Sequence, residues 1–302
     1  MLIKANGIQM NYELSGKTKA SVVILSHSLG CSLGMWNPQM KALEPHVQVL
    51  RYDIRGHGRS EAPPGAYTLE LLGEDAIALL DALGPHFQVL RYDIRGHGRS
   101  EAPPGPYTPE LLAKDAIALL DTLGIDKVHW VGLSMGGMIG QAVALNRPDR
   151  LKSLALCDTT AVIPPEVQPL WQERIDAVRG KGIESQMEPT MERYFTPSFL
   201  KSNPPLLGVI RKQFLATPTE GYLGCIEAIR KLNYLDRLST IKIPTLIMVG
   251  EDDPGTPVSA SQAIHEKISN SKLVIIQSAR HLPNVEQPDA FNTNLLTFLK
   301  SL

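Results

Sequence analysis

One stretch of this chain is written twice. Residues 45–84 recur as residues 85–124, and the copies differ only at Val47/Phe87, Ala66/Pro106, Leu69/Pro109, Gly73/Ala113, Glu74/Lys114 and Ala82/Thr122. Each copy reads as a strand, a loop and a helix. Val-Gln-Val-Leu-Arg-Tyr-Asp-Ile is rich in β-formers, Arg-Gly-His-Gly-Arg-Ser-Glu-Ala-Pro-Pro-Gly is turn chemistry, and Ala-Ile-Ala-Leu-Leu-Asp continues a helical spacing. Two units are too few for a solenoid, which needs several to stack, so the repeat is a tandem duplication of one piece. Without one copy about 260 residues remain, a reasonable single domain.

Outside the repeat the same rhythm continues. Residues 8–14, after Asn6-Gly7, read as the second arm of an N-terminal hairpin. Apolar strand candidates follow at 21–26, Val128–Leu133, Leu151–Cys157, 245–249 and 272–276, with helical patterns at Met135–Asn146, 259–268 and 289–302. Continuous apolar strands separated by helices imply a mostly parallel sheet with helices on both faces. Residues 161–240 break the rhythm: they carry helical patterns, several prolines and no strand, and read as a helical insertion where a lid would sit. The expected organisation is a core in two parts, 1–160 (holding the repeat at 45–84 and 85–124) and 241–302, with a cap at 161–240.

With 43% hydrophobic and 20% charged residues, a chain of 302 residues can bury a full core. Its net charge of −1 provides no field for nucleic acid or for an acidic membrane surface. Cys31, Cys157 and Cys225 are too few and too scattered for a disulfide framework or a zinc site, and read as small buried apolar side chains. The start, Met-Leu-Ile-Lys-Ala-Asn-Gly, lacks the apolar stretch of a signal peptide, and the longest apolar runs fall far short of the ~20 residues that span a bilayer. A cytoplasmic protein is expected, with no nucleic-acid or membrane partner and no metal or cofactor.

Gly132-Leu133-Ser134-Met135-Gly136 fits G-x-S-x-G. Alone the pattern is weak, since on the order of one chain in ten of this length would carry it by chance. Its setting is more specific: it closes the apolar strand at Val128 to Val131 and opens a helical run at Met135. A sharp strand-to-helix turn needs small neighbours around the serine and holds Oγ clear of the sheet, at the positive end of the helix. The competing reading is a glycine-rich helix start with a capping serine.

A serine hydroxyl is a poor nucleophile until a base takes its proton, and the base needs a third group to hold it. The chain order expected after such an elbow is serine, acid, histidine. Gly250-Glu-Asp-Asp253 ends an apolar strand after the cap, and a carboxylate in that turn sits on the ligand face of a parallel sheet. Asp253 is the chosen acid, with Asp252 and Glu251 as fallbacks. His281 follows the last strand, on a loop that can swing over the elbow. His57 and His97, in the duplicated Arg-Gly-His-Gly loops, suit a turn or packing role. His27, His46, His86, His129 and His265 read as structural or surface residues, and no pair has metal-ligand spacing with supporting carboxylates. An oxyanion hole needs two backbone N–H donors. Met135, just after the nucleophile, supplies one, and Leu29, in the loop Ser26-His27-Ser28-Leu29-Gly30, the other.

At this point the chain resembles the 3-oxoadipate enol-lactonase group of α/β-hydrolases along its whole length, once one repeat copy is set aside. The matching segments are His27-Ser-Leu-Gly30 with Met35-Trp36, Arg91-Tyr-Asp-Ile-Arg-Gly-His-Gly-Arg-Ser100, Gly132-Leu-Ser-Met-Gly-Gly137 and Cys157-Asp-Thr-Thr160. They continue with Trp171 and Arg174, Arg193-Tyr-Phe-Thr-Pro197, Gly221-Tyr222 with Cys225, Ala228-Ile-Arg230, Gly250 with Asp253, and His281. The resemblance implies an α/β-hydrolase fold with sheet order 1-2-4-3-5-6-7-8, strand 2 antiparallel and a helical cap after strand 6, to which the duplication adds an extra βα unit. It also implies a triad of Ser134, Asp253 and His281, oxyanion donors at Leu29 and Met135, and a small-molecule ester or lactone as substrate. Tyr194 stands where a tryptophan is more familiar in the group, and Asn233 where an aspartate often follows Ala-Ile-Arg. Trp171 and Arg193 are candidate pocket residues, the arginine because an enol-lactone substrate carries a carboxylate. Packing within the lid is the competing reading for both.

The expected reaction is hydrolysis of a carboxylic ester or lactone through an acyl-enzyme. Haloperoxidase-type perhydrolysis on the same triad and ligand reception without catalysis are the alternatives, while Ser134 excludes a dehalogenase with an aspartate nucleophile. The duplication sets two near-identical strands in competition for one slot in the sheet. Copy two, which leads to the nucleophile strand through Ile125-Asp126 and carries Phe87 and Pro106, is expected to take it. A displaced copy left in water would lose about 25 cal/mol for each Å² of apolar surface and would expose an unpaired strand edge. It is expected to dock on another chain, giving a swapped or tightly packed homodimer, or else to enlarge the sheet.

Overall fold

A computed structural model of the chain describes residues 2–5, 8–16, 22–63, 89–94, 107–122 and 126–302. Nine strands form one sheet: β1 (Leu2–Ala5), β2 (Ile8–Gly16), β3 (Val22–Ser26), β4 (Gln48–Ile54), β5 (Val89–Asp93), β6 (Val128–Leu133), β7 (Leu151–Cys157), β8 (Thr245–Gly250) and β9 (Ser271–Ile276). The path runs β1-β2-β4-β3-β6-β7-β8-β9, with β5 paired to β4 off that path. β2 is antiparallel to both of its neighbours, and the other pairings are parallel. With β5 set aside, this is the order that the resemblance implied. β6 and β8 are buried at every position. A strand covered on both faces has no polar side, which is why these segments read as unbroken apolar runs. Ala5 pairs with Ile8 in the first antiparallel pair, and Asn6 and Gly7 lie outside the described residues.

Helices α1 (Asn37–Leu43), α2 (Pro109–Thr122) and α3 (Met135–Asn146) accompany the first half of the sheet. After β7 the chain leaves the sheet for a cap of five helices: α4 (Gln168–Lys181), α5 (Met187–Tyr194), α6 (Pro197–Ser202), α7 (Pro205–Leu215) and α8 (Thr219–Arg230). Pro169, Pro197 and Pro205 stand in the first turn of their helices, where a missing N–H costs nothing, so prolines that look like breakers in the sequence are starts. An isolated bridge, Val162 with Asn233, joins the two ends of the cap where it leaves and rejoins the core. Helices α9 (Val258–Lys267), α10 (Pro283–Glu286) and α11 (Pro288–Lys300) complete the chain. All three cysteines are free and buried. Among the described residues no helix is long and apolar enough to cross a membrane.

The two repeat copies divide one job between them. Copy one supplies the strand: β4 lies between antiparallel β2 and parallel β3, in the slot expected for copy two. That expectation is corrected. The link from α1 decides it, for the turn after Leu43 is so tight that Val47 N–H donates to the Leu43 carbonyl, delivering the chain directly into β4. Copy two supplies the helix: α2 packs on α3 and buries Leu112, Ala113, Ala116 and Ile117. Near-identity makes this splice free of penalty, since either strand presents the same side chains to either helix. The strand of copy two, β5, lies parallel to Leu50 to Ile54 of β4, off the path of the sheet, since both edges of β4 are already paired with β2 and β3. The helical pattern of copy one at 69–82 and the Arg95–Ser100 loop of copy two, with His97, lie outside the described residues.

Candidate active site

Ser134 joins β6 to α3 with φ 54° and ψ −115°, a conformation that a side chain rarely adopts. The turn is forced by crowding. A Cβ on Gly132 would lie 2.1 Å from the Gly136 carbonyl oxygen, and one on Gly136 would lie 2.6 Å from that of Ser26. Strand and helix therefore cross at a distance that only glycine permits. Backbone bonds hold the elbow: Ser134 N–H donates to Cys157 O at 2.8 Å, and Ser134 O accepts from Gly137 N–H at 3.0 Å and from Thr159 Oγ1 at 2.8 Å.

His281 and Asp253 sit on the loops that follow β9 and β8. His281 Nδ1 bonds Asp253 Oδ2 at 2.8 Å, and both residues are buried. Asp253 Oδ2 also accepts from Thr256 Oγ1 at 2.6 Å, and Oδ1 accepts from Gly255 N–H at 2.8 Å. Burial is the largest effect on this carboxyl and works against ionisation. The His281 charge and the hydrogen bonds from His281, Thr256 and Gly255 outweigh it, holding the carboxyl below the usual range. The two fallback acids, Glu251 and Asp252, are exposed in the same turn. Asp158, at the end of β7, is a second carboxyl behind the pair, fully buried at φ 42°. Its Oδ1 accepts from Gly250 N–H at 2.8 Å, and its Oδ2 has no partner among the described residues. Burial, then the charges of Asp253 and Glu286, push this carboxyl well above the usual range. Asp158, Asp253 and His281 each offer an atom within 4.8 Å of the others, a spacing that a metal would also use. Both Asp253 oxygens are already engaged, which fits an acid that orients a base.

Leu29 and Met135 are buried, and among the described residues neither N–H donates a hydrogen bond. Met135 opens its helix, where an N–H has no intrahelical partner, and with the Leu29 N–H it offers two donors of the kind an oxyanion needs. Histidines hold this loop. His27 Nδ1 meets the Ser28 carbonyl at 2.7 Å, fixing the peptide plane that carries the Leu29 N–H, while its Nε2 accepts from Ile54 N–H at 2.7 Å. His57 Nε2 accepts from Gly30 N–H at 2.7 Å. In the sequence His57 reads as a turn or packing residue and His27 as a structural or surface one. Their position, one in the loop after β3 and one in the loop after β4, is the signal that could have revealed the role.

Ser134, His281 and Leu29 line one cavity of about 530 Å³ beneath the cap. Trp171 and Arg193 line it too, as does Arg174, whose guanidinium lies 4.5 Å from the centre of the Trp171 ring. Arg193 bonds Thr190 Oγ1 at 2.7 Å, and among the described residues no carboxylate pairs with either arginine. Burial, then the Arg193 charge, lower the Arg174 pKa. The cavity thus joins Ser134 at one wall to two arginines, unpaired by any described carboxylate, at another.

A serine elbow at the carboxyl end of a parallel sheet, under a helical cap, is the arrangement of the α/β-hydrolases. The family profile of the alpha/beta hydrolase fold matches residues 21–86 and 72–288, two spans that overlap inside the repeat, and the chain belongs to this family of hydrolases. Among individual proteins it is similar to 3-oxoadipate enol-lactonase 2 of Acinetobacter baylyi, 32% identical over 290 residues that cover 96% of this chain and 92% of the relative. The crystal structure of the enol-lactonase from Burkholderia xenovorans LB400 is similar at a TM-score of 0.82 and 33% identity, over 99% of this chain and 100% of that one. A malate-bound thermophilic esterase from Thermogutta terrifontis is similar at 0.79 and 26% identity, over 100% and 98% of the two chains.

Proposed function

We propose that the protein hydrolyses carboxylic esters and lactones through an acyl-enzyme on Ser134, and that its substrates carry a carboxylate remote from the scissile bond. The observation that carries this reading is the His281–Asp253 pair at 2.8 Å, whose imidazole lines the same cavity as the strained serine. His281 takes the Ser134 proton as Oγ attacks the carbonyl, and Asp253 holds the imidazole with its proton on Nδ1. Leu29 and Met135 N–H groups receive the oxyanion. The alkoxide or enolate then leaves with the proton from His281, and in a lactone it stays tethered to the acyl group. His281 next activates a water that releases the acid and frees Ser134.

Arg174 and Arg193 support the remote carboxylate. Two like charges held near one another without a counter-ion raise the energy of the empty cavity, and an anion lowers it. Relatives named enol-lactonases and an esterase solved with malate, a dicarboxylate, agree with such a substrate. The test compares a chromogenic monoester of a dicarboxylic acid with a neutral ester of the same chain length, beside an enol-lactone. Arg193→Ala is expected to raise KM for the charged ester about 10-fold or more, a charged hydrogen bond being worth roughly 1.5–3 kcal/mol, and to leave the neutral ester unchanged. Equal effects on both esters would remove the recognition role of Arg193.

A further inference from the structure

Tyr194, the last residue of α5, departs from the tryptophan more familiar in the group, and its surroundings give that departure a use. The side chain is buried, and its hydroxyl donates to the Leu29 carbonyl at 2.6 Å, with Ser28 Oγ 3.3 Å away. Its ring stacks on the His281 imidazole, with centroids 5.1 Å apart and planes 27° from parallel. Its backbone carbonyl accepts from Leu282 N–H at 3.2 Å, holding the loop on which His281 stands. One cap residue therefore touches the oxyanion loop and the base together.

The hydroxyl contact falls on a critical peptide. The Leu29–Gly30 plane is held from both edges, at its carbonyl by Tyr194 and at its N–H by His57. With that plane fixed, and the preceding one fixed by His27 at Ser28 O, rotation about Leu29 is removed and its N–H keeps one direction. Preorganised donors are what make an oxyanion hole effective, because nothing needs to reorient when charge develops. Burial pushes the phenol above its ordinary value, so it remains a donor across the working range. Arg193, the neighbouring residue, faces the cavity.

We infer that Tyr194 is a positioning residue that couples the cap to both halves of the catalytic apparatus, aligning the Leu29 N–H through its hydroxyl and the His281 ring by stacking. This rests on the serine-hydrolase reading above.

Tyr194→Phe removes the hydroxyl and keeps the ring. With a neutral chromogenic ester, kcat is expected to fall about 10- to 100-fold, somewhat less than loss of a direct oxyanion donor costs, while KM stays within about twofold. Inhibition by an alkyl boronic acid, whose adduct with Ser134 carries the charge of the tetrahedral intermediate, should weaken by the same factor as kcat. Binding of the carboxylic acid product should not change. A merely structural tyrosine would lower the melting temperature without that selective loss. Wild-type kcat and boronate affinity in the variant would overturn the inference, and so would a loss carried wholly by KM. If Tyr194→Phe folds poorly, Tyr194→Trp and Tyr194→Leu are compared instead. The tryptophan keeps a stacked ring and should retain several-fold more kcat than leucine, and equal values would overturn the role. The underlying reading fails separately, if the wild type turns over no ester or if Ser134→Ala turns over as well as the wild type.

Discussion

Ser134, the proposed nucleophile, illustrates how a backbone conformation is held in place at the scale of one residue. Its positive φ is a strain that the bonds from Gly137, Thr159 and to Cys157 maintain. Ser134→Ala keeps the Cβ and leaves those bonds intact. The expected outcome is loss of ester turnover with a melting temperature near that of the wild type; hydrolysis at the wild-type rate by the folded variant would remove the nucleophile. Asp253→Asn leaves shape nearly unchanged but loses control of the His281 tautomer, and kcat should fall on the order of 10⁴-fold. Asp252→Asn, in an exposed position one residue earlier in the same turn, should leave kcat unaltered. Steady-state rates on one chromogenic ester decide both, and a crippled Asp252→Asn would move the acid by one residue.

At the scale of elements, the loop after β3 and the loop after β4 depend on each other through neutral histidines. Burial holds His27 down to about 3, with the Ser28 carbonyl acting the other way. Burial, followed by the neighbouring His27, holds His57 well below its ordinary value. An unfolded chain, whose histidines titrate near ~6.5, therefore takes up protons that the native loops refuse once the pH drops below that value. More protons on the unfolded side means that native stability falls as pH falls, beginning near ~6.5. Asp53, which burial raises to about 7 against its hydrogen bonds, works in the opposite direction over part of this range. Comparing the wild type with His57→Gln cancels the Asp53 contribution, because both chains carry it. At pH 8 the glutamine variant should unfold at the lower denaturant midpoint, and by pH 5 the gap should narrow. A gap that does not change with pH would mean that His57 is not a buried neutral acceptor.

The duplication belongs to the whole molecule. Copy one gives the strand in the slot, copy two gives α2, and β5 lies against β4 off the path of the sheet. Deleting residues 45–84 leaves one strand, one loop and one helix of nearly the same sequence, and a folded, active enzyme is expected. The shortened chain should keep its thermal transition and its ester turnover. An insoluble or inactive product would show that the surplus unit has become part of the required core. Sedimentation of both forms at micromolar concentration adds a second readout: a full-length dimer that dissociates on deletion would put the surplus unit between chains.

Much of this was legible in the residues because it is local. The βα rhythm, the glycine-flanked Ser134 and the histidine after the last strand each depend on short-range constraints. An elbow needs small neighbours, a doubly covered strand needs an unbroken apolar run, and a loop after a parallel strand opens on the ligand face. The sequence points to Asp253 as the acid but leaves its two neighbouring carboxylates, Asp252 and Glu251, as alternatives. Only the folded turn, where Asp253 points inward to His281 and its neighbours outward, separates them. The roles of His27, His57, Asp158 and Tyr194 were beyond the sequence, for each arises from a contact between segments far apart along the chain. The choice between the repeat copies was equally beyond it. Two near-identical sequences carry the same propensities, and what distinguishes them is connection: which copy the turn after α1 delivers into the sheet, and which helix leads on to β6. Composition and pattern determined what kind of element each segment becomes, while packing across the sheet decided which of two equivalent segments is used and what each buried polar group does there.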